Sequence, residues 1–256
     1  MGDAIVGGLI RSGVLQTVDV VVAEPDPERR EALSEARDVR VVADGRDAVS
    51  GAVTVLLAVK PQVLDDVVRA LADDIPPGAL VVSIAAGVSC ARVEALLAPG
   101  SAVVRVMPNT PALVGQGMAV VSAGAAATSE QLESVRGMFS ALGDAVVVDE
   151  SLQDAATAIS GSGPAYMAIF LDALAAAGER QGLPRELALR LAARTMRGTV
   201  ELLESSGMEP QGLVDAVSSP GGTTVAAIAR LDAGGLRGVI DDAVAAAVAR
   251  ARELGS

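Results

Sequence analysis

Apolar residues follow two different rhythms along the 256 residues of the chain. In the first part, short continuous Val-rich runs recur: VDVVVA (18 to 23), VRVV (39 to 42), AVTVLLAV (52 to 59), GALVVSIAA (78 to 86) and SAVVRVM (101 to 107). Between them lie amphipathic stretches such as PDPERREALSEAR and PQVLDDVVRALADD. Unbroken apolar strands separated by helices predict βαβ units and a parallel sheet covered on both faces. After a last strand-like run, DAVVV, the rhythm changes. AYMAIFLDALAAAGERQG, PRELALRLAARTMRGTVELLESS and RGVIDDAVAAAVARAREL are long, rich in Ala and Leu, and helical, with no strand signal between them. The pattern predicts a Rossmann-like, doubly wound α/β domain over residues 1–150 and an all-helical domain over 151–256, with the boundary near Asp149 to Ser151.

Composition narrows the chemistry. Hydrophobic residues make up 51% of the chain, enough for a packed core. No run approaches the roughly 18 to 20 consecutive apolar residues that a membrane span needs, and the N-terminus lacks the order of a signal peptide. A cytoplasmic protein without a membrane partner is expected. The single cysteine, Cys90, reads as a small buried hydrophobe. A formal charge of -12, with one Tyr, two Phe and no Trp, removes both the basic patch and the stacking platform of nucleic-acid binders. There is no histidine, which excludes Ser-His and Cys-His nucleophiles and most catalytic zinc sites. No metal site is expected, and the composition favours a reaction whose difficult step belongs to a cofactor.

An open parallel sheet binds its ligand outside the carboxyl ends of its strands. Three loops fall there: LLAVKPQ, SIAAGVS and VRVMPNTP, each an apolar strand followed by an abrupt Pro or Gly break. The first holds Lys60, the only lysine of the chain. One reading makes it a cation at the rim of a cofactor crevice; the other makes it a solvated linker before Pro61, a favoured first helical residue.

The N-terminal stretch MGDAIVGGLIRSG reads as the helix that follows the first strand of a dinucleotide-binding βαβ unit, and no G-x-G-x-x-G is assembled before it. Glu24 stands at the end of the next strand, in VVAEPDPERR. An acid there accepts from the ribose hydroxyls of NAD, whereas Arg29 or Arg30 nearby would meet the 2′-phosphate of NADP, so the cofactor signal is divided. The alternative is that Glu24, Asp26 and Glu28 only place negative charge at a helix N-terminus.

In the helical part, AISGSGPAY (158 to 166) and VSSPGGTTVAAIARLD (217 to 232) place Gly, Ser and Thr directly before amphipathic helices. Unpaired amides at the positive end of a helix bind anions, carboxylates included. Capping by Ser162 or Thr223 would explain a single polar residue. It explains SSPGGTT less well, because two adjacent glycines suit a backbone that a ligand approaches closely.

SPGGTTVAAIARLDAGGLRGVIDDAV, SGSGPAY, VRVMPNTPALVGQGM, SIAAGVS and AVKP, in that relation along the whole chain, resemble pyrroline-5-carboxylate reductase, the last enzyme of proline biosynthesis. The resemblance implies an N-terminal Rossmann domain for NADPH or NADH and a C-terminal helical domain that interlocks into a homodimer, with larger rings such as a decamer built from it. Its substrate is 1-pyrroline-5-carboxylate, reduced to L-proline by hydride transfer to the cyclic imine. Ala58, Val59, Lys60 and Pro61 align with one loop lining the dinucleotide, and Ile84, Ala85 and Ala86 with a second. Met107, Pro108, Asn109 and Thr110 would flank the nicotinamide. Gly222, Thr223 and Thr224 align with the loop that holds the substrate carboxylate, Thr224 being placed like the threonine whose hydroxyl contacts the ring nitrogen. Glu150 falls near the substrate. Relatives begin with a strand and G-x-G-N-M-G; Met1 and Gly2 correspond to its final Met-Gly, so about ten residues including a first strand are expected to be missing. Two other readings are a related imine or β-hydroxyacid reductase, and a truncated, catalytically inactive helical dimer.

Overall fold

Each Val-rich run contains a strand, although the first of them opens with a 3-10 turn at Thr17–Asp19, and in the central strands neighbours on both faces explain why the apolar run is unbroken. The computed structural model describes residues 1–255. Residues 1–162, together with the end of the last helix from Ala246, form one unit, and Gly163–Ala245 a second.

The first unit begins with α1 (Gly2–Arg11), β1 (Val21–Ala23), α2 (Pro27–Arg37), β2 (Arg40–Val42) and α3 (Gly45–Val49). It continues through β3 (Thr54–Leu57), α4 (Pro61–Leu71), β4 (Leu80–Ser83), α5 (Cys90–Glu94) and β5 (Ala102–Met107). It ends with β6 (Gly117–Ala123), α6 (Ser129–Ser140), β7 (Gly143–Val147) and α7 (Gln153–Ala156). Five strands make one sheet in the order β3-β4-β5-β6-β7, while β1 and β2 pair in parallel as a separate two-stranded sheet. Successive residues of the central strands enter opposite cores. Leu80, Val82, Ala102 and Val104 pack with Ile5 and Leu9 of α1 and with Val135 and Phe139 of α6. Val81 and Val103 pack with Leu64, Val68 and Leu71 of α4 and with Cys90 and Val93 of α5. Both faces are covered, so a polar side chain in these strands has to bring its own partners.

Strand β6 was not among the runs that the hydrophobic rhythm singled out, and it lies antiparallel to β5. The connection over residues 108–116 is too short for a crossover helix, so the chain doubles back beside β5. The sheet is therefore mixed, although β3-β4-β5 and β6-β7 are parallel as expected. Helix starts follow local chemistry. Asp26 caps α2, accepting from the amides of Glu28 and Arg29 at 3.0 and 3.1 Å, with Pro27 next. Thr128 and Gln131 form a capping box on α6.

The second unit is helical: α8 (Gly163–Arg180), α9 (Arg185–Ser206), α10 (Pro210–Ala216), α11 (Thr223–Ala233) and the first part of α12 (Leu236–Gly255). Helices α8 and α9 form a close hairpin. A Cβ on Gly178 would meet Ala188 Cβ at 3.2 Å and Leu183 Cδ1 at 3.3 Å. Among the described residues, Ala175 and Ala188 are the only fully buried hydrophobic side chains of this unit. Met167, Ile169, Phe170, Leu174, Leu191 and Val200 stay exposed.

Candidate active site

The parallel register of β3, β4 and β5 sets three loops side by side. Leu57 is level with Ser83, and Ser83 with Arg105. The loops that follow, Ala58–Lys60, Ile84–Ser89 and Pro108–Asn109, therefore leave one edge of the sheet together. The amide of Ile84 donates to Leu57 O at 3.2 Å, which continues the ladder past the end of the strands. Helix α1 points its N-terminus at the same edge. A Cβ on Gly2 would lie 2.8 Å from Ala58 Cβ, so only glycine lets the helix start this close to the loop. Met1, Gly2, Ala58, Val59, Lys60, Pro61, Ile84, Ala85 and Ala86 thus belong to one region of the fold. Lys60 is exposed at the N-cap of α4 and makes no ion pair among the described residues. The chemistry of the region fits a dinucleotide: strand ends converge beside a helix start whose first amides lack intrahelical partners.

Glu24 follows β1 and so sits on the smaller sheet, with its amide bonded to Val42 O at 3.0 Å. Its Oε1 accepts from the amide of Asp26 at 3.0 Å. Arg30 turns back, its Nη1 donating to Glu24 O at 2.8 Å and to Pro25 O at 3.2 Å. Asp3 of α1 and Arg37 of α2 form a two-pronged ion pair at 2.7 and 3.0 Å. The hydrogen bond from Arg37 holds the Asp3 carboxyl below its ordinary value against partial burial.

Asn109 is buried with both ends of its amide in use. Its Oδ1 accepts from Met118 N at 2.9 Å, and its Nδ2 donates to Ser160 O at 3.0 Å. It clips the loop after β5 to the π-helical turn Thr157–Gly161. Glu150 is likewise engaged through one oxygen: Oε1 accepts from Cys90 N at 2.7 Å and lies 3.6 Å from Arg105 Nη1. Its second oxygen is the one a substrate role would use.

A polar network here was missed from the sequence. Arg105 is 5% exposed on β5, level with Ser83 on β4 and Ser122 on β6, and it also pairs with Asp154 at 3.2 Å. Ser122 Oγ donates to Val148 O at 2.8 Å and accepts from Gln153 Nε2 at 2.9 Å. The available signal was a lone arginine inside SAVVRVM, since a strand covered on both faces buries an arginine only with carboxylate partners. Cys90 is buried beside this network. Burial first, and then the Glu150 carboxylate, push its thiol up to about 12. A cavity of about 340 Å³ lies elsewhere, between α1, the 3-10 turn at Thr110–Val114 and the end of α6, and none of the predicted site residues lines it.

In the second unit, α11 starts at Thr223 with Gly222 as N-cap, extended at φ -76° and ψ 167°, and no side chain caps it. Its first amides are left open at the positive end of an 11-residue helix. Gly221 has φ +72°, a conformation that suits glycine. A Cβ on Gly222 would meet Ser219 Oγ at 2.5 Å and Ser219 O at 3.0 Å. Thr223 and Thr224 are thus presented by a turn whose two glycines are sterically required.

The family model for pyrroline-5-carboxylate reductase dimerisation matches residues 150–254, and that for NADP oxidoreductase, coenzyme F420-dependent, matches residues 1–87. A pyrroline-5-carboxylate reductase of Synechocystis is 44% identical over 258 residues, across 100% of this chain and 95% of that protein. The chain belongs to the pyrroline-5-carboxylate reductase family. Two solved structures agree in fold over the whole chain. A pyrroline-5-carboxylate reductase from Coxiella burnetii is 33% identical with a TM-score of 0.92, covering 100% of this chain and 95% of that one. The Plasmodium falciparum pyrroline carboxylate reductase with NADP bound is 28% identical with a TM-score of 0.91 and the same coverage. The Rossmann-like sheet followed by a helical dimerisation domain, as read from the sequence, is the architecture of this pyrroline-5-carboxylate reductase family. No helix among the described residues is long and apolar enough to cross a membrane.

Proposed function

We propose that this chain is an NAD(P)H-dependent oxidoreductase that reduces 1-pyrroline-5-carboxylate to L-proline in the cytoplasm. The observation that carries the reading is 44% identity to a pyrroline-5-carboxylate reductase along the whole of this chain. Residues 1–150 serve the dinucleotide and residues 151–256 the substrate and the homodimer, from which a decamer is built. Neither nucleic acid nor a membrane is a partner.

The bound dinucleotide supplies hydride, and the residues of this chain hold and orient the two reactants. Ala58 to Pro61 and Ile84 to Ala86 line the dinucleotide, with Met1 and Gly2 at the helix start and Asn109 fixing the loop that flanks the nicotinamide. The open amides at Gly222, Thr223 and Thr224 fix the substrate carboxylate, a role supported by the uncapped start of α11. The Thr224 hydroxyl orients the ring nitrogen, and Glu150 borders the substrate. A cyclic imine takes its proton from water before reduction, so a chain with no histidine loses nothing by lacking a strong general acid. Holding the reactants in near-attack geometry supplies up to about 7 to 11 kcal/mol. The test is oxidation of NADPH and of NADH by the full chain when pyrroline-5-carboxylate is added. Turnover is expected; none with either cofactor removes the reading.

A further inference from the structure

We infer that this chain prefers NADH to NADPH, and that Glu24 sets the preference by accepting hydrogen bonds from the ribose hydroxyls of the adenosine. The inference rests on the reductase reading and concerns the half of the cofactor farthest from the chemistry. In a Rossmann-type domain the end of the second strand of the first βαβ unit decides between a ribose hydroxyl and a phosphate. The strand that follows the first helix here is β1, and the residue after it is Glu24.

A 2′-phosphate would seek three partners at this place: two are already used and the third is surrounded by carboxylates. The first is the N-terminus of α2. Its amides at Glu28 and Arg29 donate to the Asp26 carboxylate, so the anion position of this helix holds an anion from the chain itself. The second is Arg30, whose guanidinium donates to the carbonyls of Glu24 and Pro25 and so braces the loop from behind. The third is Arg29, exposed on the first turn of α2 and outnumbered. Residues 24 to 31 carry four carboxylates, Glu24, Asp26, Glu28 and Glu31, against the two arginines. A phosphate that brings close to two more negative charges meets net repulsion.

Ribose hydroxyls meet the opposite situation. The Asp26 amide holds one oxygen of Glu24 and thereby fixes the carboxylate, leaving Oε2 to accept from a hydroxyl. A charged acceptor of this kind makes a stronger bond than a neutral one and has no use for a ligand without a donor. The Plasmodium falciparum relative was solved with NADP bound, so the loop after β1 is where this chain is expected to part from it.

Binding decides the matter without turnover. Dissociation constants of the full chain for NADH and NADPH are read from the fluorescence of the reduced nicotinamide, with no substrate present. NADH is expected to bind about tenfold more tightly or better, the ratio set by one charged hydrogen bond. In Glu24→Gln, and in the shorter Glu24→Ser, that ratio should fall toward one, with unfolding midpoints unchanged because the side chain is half exposed. Equal or tighter binding of NADPH by the unaltered chain, or an unchanged ratio in both variants, overturns the inference. NADPH preference accompanied by turnover of pyrroline-5-carboxylate would sink this inference alone. Binding of neither cofactor would sink both it and the reductase reading.

Discussion

Arg105 on β5 reaches Asp154 on α7 across 3.2 Å while its other terminal nitrogen lies 3.6 Å from Glu150. The guanidinium is 6% exposed and the two carboxylates 28% and 27%, so the cation is inside and the anions are at the rim. This pins the segment after the last strand onto the sheet. Replacing the cation by an apolar residue strands two half-buried carboxylates. Arg105→Met should cost about 2 to 4 kcal/mol in urea unfolding. Adding Asp154→Asn should restore part of the loss, because one unpaired charge is then gone. A cost below about 0.5 kcal/mol, the scale of an exposed ion pair, would mean that the network is ornamental.

Thr224→Ala should lower kcat/KM for pyrroline-5-carboxylate by about 10- to 100-fold, the worth of a hydrogen bond to a charged group. The dissociation constant for the dinucleotide should stay the same, and Thr224→Ser should keep most of the activity. Steady-state kinetics beside a cofactor titration separates these effects. Unchanged turnover in the alanine variant would remove the hydroxyl from the mechanism.

For Lys60, the two roles open in the sequence make different predictions. A cation at the crevice rim acts through a solvated charge, so Lys60→Ala should raise KM for NAD(P)H several-fold, about 1 kcal/mol, and leave the melting temperature alone. The effect should shrink in high salt. A change in stability with no change in KM would make the residue a linker.

The Asp3–Arg37 pair gives a pH dependence of known sign. Arg37 depresses the Asp3 carboxyl in the folded state. The pair's stabilisation is therefore complete above the ordinary carboxylate value of about 3.9 and is lost as pH falls through the lower folded-state value. Asp3 is half exposed, so the amount is about 0.5 to 1 kcal/mol. Asp3→Asn should be less stable than the parent at pH 7, and the two should converge as pH falls through the folded-state value of Asp3. A difference that persists in strong acid would point to packing instead of charge.

Cys90 should be inert in the folded protein. A thiol raised to about 12 carries almost no thiolate at neutral pH, and the side chain is buried. Reaction with a thiol reagent at pH 8 should therefore follow the opening of the protein, accelerating with urea. Rapid labelling without denaturant would show that α5 opens locally.

The central strands of the first unit were legible because a sheet covered on both faces permits only one composition, as Val81, Val82, Val103 and Val104 demonstrate by dividing between two cores. The helices around them were legible from Pro27, Pro61 and the polar residues before them. β6 was not, since its direction depends on a connection length and not on its own residues. The loops with Lys60 and Ala85 were legible as breaks after strands. The division of labour at Asn109 and Arg105 was hidden, because hydrogen bonds to Ser160, Met118 and Asp154 join residues 9 to 51 positions apart. Sequence rhythm reports local geometry, and these contacts are made only when the chain is folded.

The helical unit carries a further consequence. Between Gly163 and Ala245 only two alanines are fully buried hydrophobic residues among the described ones, while Ile169, Phe170 and Leu191 meet solvent. A helical segment with so little interior gains most of its cohesion from a second copy when the domain dimerises. Its persistence is then governed by mass action: the free energy holding α8 and α9 in place grows with the logarithm of protein concentration. Dilution would loosen the helices of this unit before it touched the sheet. Thermal unfolding measured at one concentration would describe a sample, and a series of concentrations would be needed to describe the protein.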